Sequence, residues 1–173
     1  EARKMVQNKP LSFLHVDRAE IDLPENTEIY SEEVYLKARN NLNSLTENNI
    51  CVQDENPKMY IYRQIMNGRE QTGLVGCVSI DDYLNNTIKK HELTRADKEQ
   101  DRINHVDYCN ANTGPIFLTY RPSEKLKSIT DEWKSVHTPY CDFITEDGIS
   151  NTVWMIDDDI VIKEITSIIE KID

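Results

Sequence analysis

A histidine, a glutamate, two lysines and two arginines gather around one helix start: Lys89-Lys90-His91-Glu92-Leu93-Thr94, then Arg95, then Arg102 two turns on. A carboxylate beside basic residues can take a proton from a hydroxyl, while Arg and Lys offset phosphate charge. Those are the working parts of phosphoryl transfer. A helix N-terminus adds free N–H groups and partial positive charge, which favour a phosphate or carboxylate. Lys90, His91, Glu92, Thr94, Arg95, Glu99 and Arg102, with His105 further along and Asn110 and Asn112 at the exit, form the candidate set.

Other chemistries fail on spacing. His91-Glu92 begins a zinc-protease motif, but the second histidine it requires is Arg95. No Gly-rich phosphate loop, dinucleotide turn or nucleophile-elbow serine occurs. Cys51, Cys77, Cys109 and Cys141 lie 26, 32 and 32 residues apart with no Cys-x-x-Cys, which supports no structural zinc and reads as reduced thiols in a cytoplasmic protein. No metal ligand set is expected.

The element that must position these groups is a helix from Arg95 to Cys109. Thr94 is the expected N-cap, with Asp97 as its acidic capping partner. Ile103 and Val106 are expected to mark the core side, and Arg95, Glu99 and Arg102 fall in that same sector. Burying charge is costly without a partner. Two readings follow: an intrahelical cluster in which Glu99 pairs with both arginines at a half-buried rim, or a polar pocket facing an anionic ligand.

Composition sets the frame. The chain has 173 residues, 38% hydrophobic and 29% charged, with a net charge of −11, which argues against general binding of nucleic acid or an anionic membrane. Nine acids against two bases fall in residues 141–173, whereas Lys89–Arg102 holds five bases against four acids. The candidate site is mildly basic in an acidic protein, and that suits a small anion. No run approaches the ~20 apolar residues of a membrane span. The opening Glu1-Ala2-Arg3-Lys4-Met5-Val6 reads as the middle of a helix, so the chain is expected to be one domain cut from a longer protein.

In chain order, Leu11–Val16 is expected as a buried strand, and Ser31 as the cap of a helix with Val34, Ala38, Leu42 and Leu45 on one face. Met59–Met66 and Gln71–Ile80, joined through Asn67-Gly68, read as a hairpin whose return strand is apolar on both faces and should be central. Asp81-Asp82 are expected to cap a short helix. Ile116–Tyr120 reads as a strand, and Pro122 as the opening of a helix with Leu126, Ile129 and Trp133. A second hairpin turns at Glu146-Asp147-Gly148, and Asp157–Asp159 cap a final Ile-rich helix. The fold class is mixed α/β (α+β), a central sheet with two hairpins and flanking helices.

Lys90-His91-Glu92-Leu93-Thr94, Lys98-Glu99, Asp101-Arg102, Asn110–Pro115, Leu11–Val16, Tyr60–Gln64 and Gln71-Thr72-Gly73 together resemble the pattern of domain-of-unknown-function family 1015, a bacterial and archaeal family. The resemblance covers nearly the whole chain. It implies a longer parent with an Asp-Gly-His-His-Arg motif after Asp173, similar to one in the partition-protein and sulfiredoxin-like superfamily that includes free-serine kinases. On that implication the protein acts on a small hydroxylated metabolite with ATP or ADP and Mg²⁺. Glu92 is then the base, Lys90, His91, Arg95 and Arg102 are the phosphate partners, and the missing part completes the site. The competing class is a non-catalytic module that binds an anion or metabolite, and a third is a charged helix that joins two subunits of a homo-oligomer.

Overall fold

The computed structural model describes residues 1–90 and 94–172. The described residues form seven α-helices, a short 3-10 turn and four antiparallel strands, the mixed architecture expected. The chain folds into two compact units, Glu1–Gln53 with Lys90–Phe117, and Asp54–Lys89 with Leu118–Asp173.

The first unit is helical. Helix α1 (Ala2–Met5), α2 (Leu14–Asp17) and a 3-10 turn (Ala19–Asp22) lead into α3 (Glu32–Glu47). Arg3 ties α1 to the turn, donating to the carbonyls of Glu20 (2.9 Å) and Leu23 (2.7 Å). On α3 the expected face is the buried one, with Val34, Ala38 and Leu45 inside and Leu42 half-buried. The expected strand at residues 11–16 is instead turn and helix. The His15 and Val16 amides bond locally to Ser12 and Phe13 carbonyls, so local bonds replace a ladder that has no neighbouring strand here.

The second unit is built on a sheet ordered β2-β1-β4-β3, from β1 (Met59–Met66), β2 (Arg69–Val75), β3 (Cys141–Ile144) and β4 (Ser150–Ile156). Both hairpins stand where the turn residues put them. Asn67 (φ +52°) and Gly68 (φ +77°) supply the two left-handed positions of a tight turn. The return strand β2 is, however, an edge strand and largely exposed. The central places go to β1 and β4, because the second hairpin docks β4 against β1 from Met59↔Ile156 to Ile65↔Ser150. Residues 116–120 form no strand; their β-prone side chains meet no ladder partner, and Ile116 and Phe117 are exposed.

Helix α4 (Ile80–Leu84) is capped by Ser79, whose hydroxyl accepts from the Asp81 amide, so the cap lies before the Asp pair. Helix α6 (Glu124–Val136) starts at the Ser123 cap, just after Pro122. In α7 (Asp159–Ile169), Asp158 accepts from the amides of Ile160 (2.7 Å) and Val161 (3.2 Å), as capping predicts. Leu126 and Trp133 from α6 and Ile165 from α7 pack with Ile61, Trp154 and Ile156 of the sheet into one core.

Candidate functional site

The remaining helix, α5 (Ala96–Cys109), lies in the first unit and carries Glu99, Arg102 and His105, with Arg95 and Asn110 at its caps. Its N-cap position is Arg95, with no side-chain cap bond, so Thr94 stands one residue before the cap and is exposed. Asp97 is occupied elsewhere: Arg95 donates to both its carboxylate oxygens, at 3.0 and 2.8 Å. At the other end Asn110 takes a left-handed conformation (φ +49°) and terminates the helix, a role asparagine fills at low steric cost.

The inward face of α5 is opposite to the one its apolar residues predict. Ile103 and Val106 are exposed, and His105 and Cys109 are buried against the core of Ala19, Val34 and Ala38. The reason is that the inward polar groups find partners from distant sequence. Tyr35 on α3 donates to Asp101 at 3.0 Å, Tyr108 donates to Glu32 at 3.0 Å, and the two tyrosine rings lie 5.5 Å apart. Burial pushes the Tyr35 phenol up, and the hydrogen bond to Glu32 does the same for Tyr108.

His105 is fixed by the same logic. Its Nε2 lies 3.1 Å from the Val16 carbonyl, which can only accept, so Nε2 carries the hydrogen. Nδ1 faces the Thr113 hydroxyl at 3.2 Å and the Cys109 thiol at 3.8 Å. Burial raises the Cys109 pKa, which keeps the sulfur protonated. This buried His-Cys pair ties α5 to α2 and to the chain beyond the helix.

The charged sector of α5 therefore faces outward. The side chains of Arg95 and Arg102 are 75% and 55% exposed, and Arg102 pairs with Asp101 at 3.0 Å. Glu99, Asn112 and Lys90 are exposed as well. Arg102, Ile103, Val106 and Asp107 line a shallow depression on this side. The structure thus gathers Arg95, Glu99 and Arg102 on one outward sector and buries His105. His91 and Glu92 lie outside the described residues.

Sequence reasoning missed Tyr30, Tyr35 and Thr113 as partners of this helix, and Asp101 as the residue on it that Tyr35 and Arg102 share. Lys98 donates to the Tyr30 hydroxyl, and that bond raises the Lys98 pKa. Its only sequence signal was an aromatic placed just before the Ser31 cap. Among the described residues no group of three or more His, Cys, Asp or Glu is placed to hold a metal ion, and no helix is long and apolar enough to cross a membrane.

A family model described as a protein of unknown function, DUF1015, matches residues 1–173. No curated protein and no solved structure matches.

Proposed function

We propose, for a chain that belongs to the DUF1015 family, that it binds a small anionic ligand on the outward sector of α5. The observation that carries this reading is the accessibility of Arg95 and Arg102, each oriented by a neighbouring carboxylate yet more than half exposed. The exposed Arg95–Asp97 pair is of a kind worth only about 0–1 kcal/mol, so an incoming phosphate or carboxylate can displace Asp97 at little cost. Asp101, 14% exposed and held by Tyr35 as well, stays in place and leaves the outer side of the Arg102 guanidinium to the ligand. A guanidinium then offers two parallel donors to the anion. The exposed Ile103 and Val106 beside Arg102 give the ligand an apolar surface to rest on, which fits an anion with an apolar body such as ATP or ADP. Lys90 and Thr94 precede the helix, Glu99 lies in its first turn and Asn112 lies beyond its end, while His91, a further proposed phosphate partner, falls outside the described residues.

Phosphotransfer to a small hydroxylated metabolite is the catalytic form of the same reading, with Glu92 as base, Mg²⁺ on the phosphates, and a further part of a longer protein completing the site. The pairing of both arginines favours binding without chemistry as the minimal function. Calorimetric titration of ATP and ADP, with and without Mg²⁺, tests it. Binding that weakens about tenfold or more in Arg102→Ala is expected, and no binding by the wild-type chain rejects the proposal. In a longer form, turnover lost in Glu92→Ala with binding retained would extend the function to catalysis.

A further inference from the structure

The second unit carries a different group of donors, on the sheet face covered by α6 and α7. Ladder register puts Arg63 opposite Thr152 and Ile61 opposite Trp154, so all four side chains share that face. The rows change character along the strands. Met59 with Ile156 and Ile61 with Trp154 belong to the core, and the next row is polar: Arg63, Thr152 and, across on β3, Asp142.

Arg63 is half-buried, with its guanidinium carbon 5.1 Å from the centroid of the Trp154 ring. Its Nη2 donates to the Thr152 hydroxyl at 3.1 Å, and that hydroxyl donates onward to Asp142 at 3.0 Å. Among the described residues no carboxylate stands within ion-pair distance of Arg63; Asp142 reaches it only through Thr152. Two further donors here are sealed from solvent with no acceptor: Nε of Arg63 and the indole Nε1 of Trp154, a residue 95% buried. Trp133 differs, since its indole donates to the Met155 carbonyl at 3.0 Å.

Buried donors are costly to leave unpaired, and here one belongs to a full positive charge. We propose that Arg63 and Trp154 form a binding site for a small oxyanion, a carboxylate or phosphate group, admitted at the half-open edge of Arg63. An oxyanion supplies the missing countercharge and has enough lone pairs to accept from a guanidinium and an indole together. Thr152, held by Asp142, fixes the guanidinium over the ring. This site lies in a different unit from α5 and stands independently of the function proposed there.

The test follows the two indole N–H signals of the full chain by heteronuclear NMR during titration with inorganic phosphate and, separately, acetate. The Trp154 signal is expected to shift saturably while the Trp133 signal stays in place. Affinity should fall about tenfold or more in Arg63→Gln. A response to phosphate alone assigns a phosphoryl ligand, and a response to acetate alone a carboxylate. A Trp154 signal unmoved by both anions, equal affinity in Arg63→Gln, or both indoles shifting together overturns the site. The Trp133 signal reports that the variant is folded; if Arg63→Gln loses it, Arg63→Lys, which keeps the charge and gives up the fork, carries the same prediction.

Discussion

Tyr60 shows how a single residue makes the second unit sensitive to pH. Its hydroxyl donates to Asp54, which also accepts from Lys58 at 2.7 Å. Because only the neutral phenol can donate, this bond raises the Tyr60 pKa to about 12, with burial adding to it, while the Lys58 hydrogen bond holds Asp54 below the ordinary carboxylate range. A pKa raised on folding contributes stability that is fully present below the unfolded value near 10 and is lost as pH rises through about 12. An ultraviolet titration of tyrosinate should therefore find one tyrosine ionising last, near 12, and Asp54→Asn should bring it back toward 10. An unchanged titration in that variant would refute the assignment.

Other residues were legible by type but not by role. Asn110 stood out beside Pro115 and Gly114 and proves to be a helix terminator, which its left-handed backbone explains. His105 was visible as a histidine on α5, but its tautomer depends on the Val16 carbonyl, 89 residues away in sequence. Arg63 could be placed on one face of β1 from alternation alone. That the face also holds Trp154 and Thr152 depends on the register between β1 and β4.

Among the elements, local cap signals were followed only in part: Ser31 stands at the N-cap of α3 without a side-chain cap bond, and α4 is capped by Ser79 rather than by the expected Asp pair. Ser79, Ser123 and Asp158 cap with their side chains. In the run Asp157-Asp158-Asp159, only Asp158 accepts from helix amides. Asp158→Ala should cost about 1 kcal/mol of stability, and Asp157→Ala should cost much less, as chemical denaturation would show. Equal effects from the two variants would disprove the cap. The edge position of β2 escaped its sequence because an apolar run describes a strand's affinity for cover, not its neighbours. The second hairpin, formed by residues far along the chain, took the place beside β1.

For the molecule as a whole, the net charge of −11 sets what it meets in solution. Arg95 and Arg102 are locally compensated by Asp97 and Asp101, so no extended basic surface is offered by α5. Single-stranded RNA should give no mobility shift at physiological salt, and anionic vesicles should leave the chain in the supernatant on sedimentation, since polyanion binding needs a row of uncompensated cations. A shift with RNA, or co-sedimentation, would contradict this reading of the charge.

The sequence by itself determined the mixed α/β class, both hairpin turns, and the packing faces of α3 and α6, because each follows from residues within a turn or two of one another. Tertiary structure alone decided which side of α5 faces the core. Apolar periodicity assumes that polar residues stay outside, and on α5 that assumption fails: Tyr35, Val16 and Glu32 satisfy Asp101, His105 and Tyr108. Once distant residues supply those hydrogen bonds, the polar face can turn inward, and Arg95, Arg102, Ile103 and Val106 are left on the surface where a ligand can reach them.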